Sequence, residues 1–140
     1  MTTVGGTSGA DTGDGRGAAP PASTTSHDVI QGLKASTRSL GQAAPETWTA
    51  FSDLHRAAVA EGALSAKVKE LMALAIGTVK QCDGCIAYHA KAAARRGATA
   101  PEVAEALGVA LLMDGGTASV YAPRAWAAFH EFTDPAPPPA

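Results

Sequence analysis

The sequence predicts an all-α protein of about six helices, and three observations lead to that prediction. Alanine is abundant while β-branched residues are sparse, and no stretch alternates convincingly between apolar and polar residues at a period of two. Apolar residues recur instead at steps of three and four, which is the helical pattern. Glycines and capping residues divide this pattern into helix-sized segments, so we expect helices and no sheet.

One domain is predicted between two low-complexity tails. Residues 1–26 are almost entirely Gly, Ala, Ser, Thr, Pro and Asp, so they bury too little apolar surface to offset the entropy of ordering. We expect that segment to be disordered, and residues 134–140 to form a Pro-rich tail. The helical domain is therefore expected over residues 27–133, a size that gains stability from oligomerisation.

Composition argues against several classes of protein. The net charge is −2 with both signs interspersed, so no basic face suggests nucleic acid. The longest unbroken apolar run, Leu71 to Ile76, is too short to span a bilayer. The N-terminus shows no cationic region followed by an apolar one, so no secretory signal is expected. We therefore expect a cytoplasmic protein, in which two cysteines are more often catalytic or metal-binding than structural.

The first two helices are predicted from apolar stripes and stop signals. A helix over His27–Leu40 is expected to end at Gly41. Pro45 suits the first turn of a second helix, which Gly62 ends. The second helix carries an apolar stripe that we expect in the core: Trp48, Phe51, Leu54, Ala58 and Val59.

The third helix is predicted from an N-cap at Ser65 to about Lys80, and it has two distinct faces. One wide apolar arc is expected to face the core: Val68, Leu71, Met72, Ala75, Ile76 and Val79. On the opposite arc Glu70 lies among mostly small residues: Ala66, Ala73, Leu74 and Gly77. Small side chains beside a carboxylate indicate that another element packs closely there.

Three further helices are predicted from their ends. The fourth covers Asp83–Arg96 and stops at Gly97, a typical residue just past a helix C-terminus. Thr99 and Glu102 form a predicted capping box for the fifth helix, which a Gly-Gly pair ends. The sixth follows over about residues 118–132.

A Cys-x-x-Cys motif, from Cys82 to Cys85, lies at the start of the fourth helix. This spacing lets two sulfurs form a disulfide without large backbone rearrangement. A helix N-terminus lowers the pKa of a thiol placed there, and the thiolate is the reactive form. His89 follows Cys85 by four residues on the same helix face, where an imidazole can relay a proton.

Glu70 precedes Cys82 by twelve residues. If the third and fourth helices form an antiparallel hairpin, Glu70 lies about 18 Å from the turn and His89 about 10 Å. Glu70 therefore approaches His89 before either cysteine, helped by a crossing angle, a long side chain or a bridging water. A carboxylate partly removed from water can accept a proton near neutrality.

Other uses of the cysteines are open from the residues alone. Zinc normally takes four ligands, and no second Cys-x-x-Cys or His pair is present, although His89 with His55 or His130 could complete a site. The cysteines could also be incidental in a non-enzymatic binding or oligomer-forming module. His27, His55 and His130 otherwise have no partner pattern and are expected at the surface or in packing. Three more side chains are expected on the outer face of the fourth helix: Tyr88, Lys91 and Arg95.

These residues resemble the alkylhydroperoxidase AhpD-like family, within the carboxymuconolactone decarboxylase superfamily. The similarity covers about Ser65 to Phe132, and it rests on the Glu70–Cys82 step and on His89 four residues after Cys85. The resemblance implies an AhpD-like helical bundle and oligomers of tightly packed subunits. It also implies thiol-dependent peroxidase or disulfide-reductase activity.

The resemblance further implies a role for each site residue. Cys85 attacks the hydroperoxide, Cys82 resolves the product, and Glu70 and His89 form a proton relay. Decarboxylases of the superfamily generally lack the cysteine pair, so decarboxylation is disfavoured. Better-characterised members often carry a histidine between the cysteines; here Asp83 and a glycine stand there, and an acidic residue disfavours a thiolate.

The leading hypothesis is an alkylhydroperoxidase, an oxidoreductase with peroxiredoxin-type activity. No metal, flavin or haem motif is present, so no cofactor is predicted, and electrons must come from an external dithiol or redox protein, for example of lipoyl type. The rival hypothesis is a disulfide reductase that serves another redox protein. A homo-oligomer is expected, with neither nucleic acid nor membrane as a partner.

Overall fold

The computed structural model describes residues 24–134, and over that range it contains six α-helices and no strand. In chain order they are α1 (Ser26–Ala43), α2 (Pro45–Ala58), α3 (Ala66–Val79), α4 (Asp83–Arg95), α5 (Ala100–Asp114) and α6 (Gly116–Thr133). The predicted all-α class with six helices is confirmed. None of these helices is both long enough and apolar enough to cross a membrane. Residues 1–23 and 135–140 of the two predicted tails lie outside the described residues.

The domain begins slightly earlier than predicted. Thr25 is the N-cap of α1, and its side chain forms a capping box with Asp28. The backbone N–H of Ser26 donates to Glu131 Oε2 on α6 at 2.7 Å. Residues 25 and 26 therefore belong to the folded domain rather than to the tail, because their polar groups have partners on α1 and α6.

Local capping signals set the ends of the central helices as predicted. Ser65 Oγ accepts the backbone N–H of Val68 at the start of α3. Thr99 and Glu102 form the capping box of α5. Gly97, which follows α4, has a φ of 74°, a left-handed conformation that glycine adopts without strain.

The core lies among α3, α4, α5 and α6. Its largest fully buried apolar side chains are Leu74, Val103 and Phe129. Buried alanines of α4 and α6 separate these larger residues: Ala90, Ala93, Ala122, Ala125 and Ala128. Small side chains at helix contacts let the axes approach closely, so the bundle around α4 is tight.

The prediction of the core-facing side of α3 is wrong for most of the arc, since of its six residues only Leu71 is buried in the core. Val68, Met72 and Ile76 are 36%, 50% and 54% exposed, whereas Glu70 and Leu74 are 1% and 0% exposed. Two faces of α3 are able to pack against other helices. The hydrophobic pattern alone does not show which face packs against the helices of the same chain. In the fold, α4 packs closely on the arc of smaller residues, and Val68, Met72 and Ile76 are left on the surface of the single chain.

The aromatic stripe of α2 is not in the core either. No residue of α2 is buried, and both Phe51 and Leu54 are exposed. Helix α2 packs mainly against α1, which in turn packs on α4. Trp48 and Phe51 instead line a cleft beside α4, so the stripe contributes to a site rather than to the core.

Candidate active site

The turn between α3 and α4 fixes the position of the first cysteine. Gln81 has a φ of 54°, and its N–H donates to the carbonyl of Thr78 at 3.1 Å. The N–H of Cys82 donates to the carbonyl of Gly77, also at 3.1 Å. These two bonds are a Schellman motif, with Gln81 where glycine is usual. Cys82 is thereby held both at the end of α3 and at the beginning of α4.

The two cysteines are joined in a disulfide at the N-terminus of α4. Their Cα atoms are 5.2 Å apart. Cys82 Sγ accepts the backbone N–H of Cys85 at 3.2 Å and is the N-cap of the helix. The predicted location of the pair is confirmed. A thiolate formed there on reduction is stabilised by the unpaired N–H groups and the positive end of the helix dipole.

Gly77 allows α3 to pack against the start of α4. A Cβ added at this position would lie 3.1 Å from Cys85 Cβ and 3.6 Å from its carbonyl carbon. A side chain here would press on the helix backbone rather than on a flexible side-chain end. The side of α3 that carries Glu70 and Gly77 is therefore the close-packing surface that the sequence predicted. The first turn of α4, which carries Cys85, packs on it.

Glu70 and His89 are in direct contact, which confirms the predicted approach of these two residues. His89 Nδ1 lies 2.8 Å from Glu70 Oε2, so no bridging water is needed. The Glu70 side chain is 1% exposed and that of His89 21%. An ionised carboxylate only accepts, so in that state Nδ1–H donates and Nε2 is left as the basic atom of the ring.

Arg96 also contacts Glu70, and sequence reasoning missed it. Its Nε lies 3.3 Å from Glu70 Oε1, so each carboxylate oxygen has its own partner. A buried charge needs such partners to offset the loss of water. The available signal was spacing, because Arg96 follows His89 by seven residues, two turns along the same face. An arginine in a last helical turn is more often explained by the helix dipole.

Asp83, between the cysteines, has a basic neighbour. Its Oδ1 lies 3.4 Å from Arg124 Nη2 on α6, and both side chains are about half exposed. Water screens such a pair, so its contribution to stability is small. The guanidinium of Arg124 nevertheless places a positive charge next to the negative charge of Asp83, close to the cysteines.

A cleft of about 860 Å³ opens over the disulfide and the Glu70–His89 pair. Its walls come from α1, α2 and α4, and they include Leu33, Trp48, Phe51, Tyr88, Lys91 and Arg95. Tyr88 and Arg95 are exposed and Lys91 is half-buried, as predicted for the outer face of the fourth helix, and that face forms one wall of the cleft. His55 also lines the cleft, with its ring centroid 6.0 Å from that of His89.

The histidines weighed for a zinc site are not grouped as one. Within residues 24–134, no three His, Cys, Asp or Glu side chains come together in an arrangement that could hold a metal ion. His130 Nδ1 lies 3.2 Å from an Asp134 carboxylate oxygen near the end of α6. His27 lies near Glu131, with 3.5 Å between Nδ1 and Oε2.

Comparison with known proteins identifies the family. The sequence profile of the carboxymuconolactone decarboxylase family matches residues 45–129, more than half of the chain. The chain belongs to the carboxymuconolactone decarboxylase family. A crystal structure of an apo carboxymuconolactone decarboxylase family protein from Legionella pneumophila is similar, with a TM-score of 0.76 and 38% identity. The match covers 78% of this chain and 97% of that one, which confirms the predicted fold.

Two curated relatives of this carboxymuconolactone decarboxylase family member are also similar. An uncharacterized protein from Cupriavidus necator is 42% identical over 90 residues, 64% of this chain and 80% of the relative. A protein named uncharacterized protein 4 in cox locus, from Paracoccus denitrificans, is 42% identical over 82 residues, 59% of this chain and 74% of the relative. These names assign no reaction, and the family includes both decarboxylases and AhpD-type peroxidases.

Proposed function

We propose that this protein is a thiol-dependent alkylhydroperoxidase that reduces hydroperoxides through a Cys82–Cys85 dithiol/disulfide cycle. The observation that carries the proposal is the 2.8 Å contact between Glu70 and His89 in the cleft that also holds both cysteines. Peroxide reduction needs a thiolate and a proton donor for the leaving alkoxide. A redox-active cysteine pair beside an imidazole that a buried carboxylate orients offers both.

In the first step Cys85 is the nucleophile. His89 Nε2 takes the thiol proton, and Glu70 balances the charge through the Nδ1–H bond. The thiolate attacks the terminal oxygen of the hydroperoxide, and the O–O bond breaks with its electron pair on the leaving alkoxide. The alkoxide takes the proton back from His89 and departs as an alcohol. Cys85 is oxidised to a sulfenic acid.

In the second step Cys82 resolves the sulfenic acid. The Cys82 thiol loses its proton as its Sγ attacks the sulfur of Cys85, the S–O bond breaks, and the hydroxyl leaves as water. The product is the disulfide. An external dithiol then attacks it through a mixed disulfide, restores both thiols and becomes a disulfide itself. The sum is one hydroperoxide and one dithiol converted to an alcohol, water and a disulfide.

Consumption of cumene hydroperoxide with dihydrolipoamide tests this function. The wild-type protein is expected to turn over. The Cys85→Ser variant is expected to lose all activity, whereas Cys82→Ser should react once and stop at a sulfenic acid that dimedone traps. If the wild-type protein consumes no hydroperoxide with dihydrolipoamide, dithiothreitol or a thioredoxin as reductant, the proposal is wrong.

A disulfide reductase is the second candidate, and the position of Cys82 Sγ favours it. As the N-cap, this sulfur accepts the backbone N–H of Cys85, which stabilises a thiolate on Cys82 itself. A thiolate at this position can attack an incoming disulfide. Rapid mixing of the reduced protein with oxidised lipoamide, beside cumene hydroperoxide, distinguishes the two. A reductase reacts fast with the disulfide and no faster than free cysteine with the hydroperoxide.

A further inference from the structure

The walls of the cleft are apolar and uncovered in the single chain. Leu33 of α1 and Phe51 of α2 are exposed, as is Tyr88 of α4, and Trp48 lines the cleft beside them. Together with Ala92 these side chains line the same cleft as the disulfide, and Tyr88 and Ala92 lie between Cys85 and Arg95 along α4. An apolar surface of this kind favours a ligand with a hydrocarbon body.

The same cleft contains more positive than negative charge. Lys91, Arg95 and Arg96 line it, while its only acidic lining residue in the described part of the chain is Glu70. Glu70 is already occupied by His89 and Arg96. Neither Lys91 nor Arg95 has an acidic partner within residues 24–134, and the Lys91 ammonium lies 5.9 Å from the centre of the Phe132 ring. A ligand carboxylate would therefore find free donors on Arg95 and Lys91.

The distance from these cations to the cysteine sulfurs determines how far apart the carboxylate and the hydroperoxide group of the ligand must be. Arg95 follows Cys85 by ten residues on α4, a rise of about 15 Å along the helix. A small hydroperoxide bound at Cys85 cannot reach Arg95, whereas an extended acyl chain can. The apolar walls lie along this path.

We propose that the cleft binds long-chain carboxylate hydroperoxides, with the carboxylate on Arg95 and Lys91 and the hydroperoxide group at Cys85. This inference rests on the proposed peroxidase function and names its substrate class. The carboxylate takes no part in the chemistry, which is the two-electron reduction of the O–O bond described above. The carboxylate fixes the orientation of the bound acyl chain, so that the hydroperoxide group lies against the sulfur of Cys85.

The test compares linoleic acid hydroperoxide with its methyl ester and with cumene hydroperoxide. The wild-type protein is expected to have a KM about tenfold lower for the acid than for the ester, because the ester loses a charge-assisted hydrogen bond. Arg95→Gln and Lys91→Gln should raise the KM for the acid alone. Lys80→Gln, which removes a charge outside the cleft, should leave all three values unchanged. Equal KM values for acid and ester in the wild-type protein, or a rise for all three substrates in Arg95→Gln, would overturn the proposal.

Binding of an unreactive ligand separates this inference from the peroxidase function. Calorimetric titration with oleate is expected to show a complex with the wild-type protein, about tenfold weaker for Arg95→Gln and unchanged for Lys80→Gln. If oleate binds in this way but no hydroperoxide is consumed, the ligand site stands and the peroxidase function fails. If hydroperoxides are consumed but oleate does not bind, the ligand site fails and the peroxidase function stands.

Discussion

Glu70 Oε2 lies 2.8 Å from His89 Nδ1, and the carboxylate that makes this contact is 1% exposed. Burial of the carboxylate fixes the orientation of the imidazole, because water does not compete for Glu70. Arg96 contacts the other carboxylate oxygen at 3.3 Å, so each oxygen of Glu70 has its own partner on or next to α4. The imidazole is thereby oriented on α4, the helix that begins with the cysteines.

Replacing Glu70 by glutamine tests this relationship. The variant keeps the shape of the side chain but removes the charge that balances a protonated His89. We expect oxidation of Cys85 by cumene hydroperoxide to slow by about a hundredfold, the low end of the usual range for general acid–base groups. Stopped-flow measurement on the reduced protein gives the rate. The control is Glu105→Gln on the exposed side of α5, and equal rates in both variants would remove Glu70 from the relay.

Substitutions at Gly77 and Gly108 test the close contact between α3 and α4, with Gly108 as the control. A Cβ at Gly77 would meet Cys85 Cβ at 3.1 Å, whereas one at Gly108 would meet nothing within 4 Å. Alanine improves helix propensity at both sites by about 1 kcal/mol. At Gly77 overpacking costs about 1–3 kcal/mol, so Gly77→Ala should be destabilising overall. Gly108→Ala should be neutral or stabilising. Urea unfolding measures both, and a stabilising Gly77→Ala would contradict the close packing described here.

Acid stability tests the contact between α3 and α5. The Lys67 ammonium, 2.6 Å from Glu102, lowers the pKa of that carboxyl to about 2, helped by the backbone N–H of Thr99. A lowered pKa in the folded state means that ionised Glu102 stabilises the fold above its ordinary pKa of 4.5. That stabilisation is lost as the pH falls from 4.5 towards 2.

We therefore expect the wild-type protein to lose its stability advantage over Glu102→Gln in this pH range. Urea unfolding of both proteins at several pH values from 6 to 2 gives the difference in free energy of unfolding, from which other titrating groups cancel. A difference that does not change with pH would show that Glu102 titrates alike in the folded and unfolded chains.

The exposed arc of α3 predicts self-association. Val68, Met72 and Ile76 recur every four residues, and all three are exposed in the single chain. Bulky apolar side chains on one helix face are typical of a subunit interface, and we propose a second copy of this chain as the partner. Analytical ultracentrifugation should show an oligomer that Ile76→Asp dissociates. Gln31→Asp adds the same charge on α1 and should leave it intact; a monomeric wild-type protein would refute the prediction.

Short-range features were predictable from the sequence because their physics is local. The N-cap at Ser65, the capping box of Thr99 and Glu102, and the stop at Gly97 each depend on a few neighbouring residues. The Cys-x-x-Cys motif at a helix start is of the same kind. The contact of Glu70 with His89 followed from helix geometry once α3 and α4 were adjacent.

Features that depend on how helices pack were not predictable in this way. The sequence of α3 offers two faces, and α4 packs on the less bulky one, where Gly77 permits a close approach to Cys85. Trp48 and Phe51 have the spacing of core residues, yet α2 folds onto α1 and turns them to the cleft. The seven-residue step from His89 places Arg96 on the same face of α4, but its contact with Glu70 also depends on how α3 packs there.

The rate at which the Cys85 thiol reacts with a hydroperoxide tests the central claim most directly. In the reduced Cys82→Ser variant only this thiol is present, and stopped-flow mixing with cumene hydroperoxide measures its oxidation without any reductant. Assisted by His89 and Glu70, it should react at least about a hundredfold faster than free cysteine. A rate equal to that of free cysteine would contradict the proposal that Glu70 and His89 prepare this sulfur for peroxide.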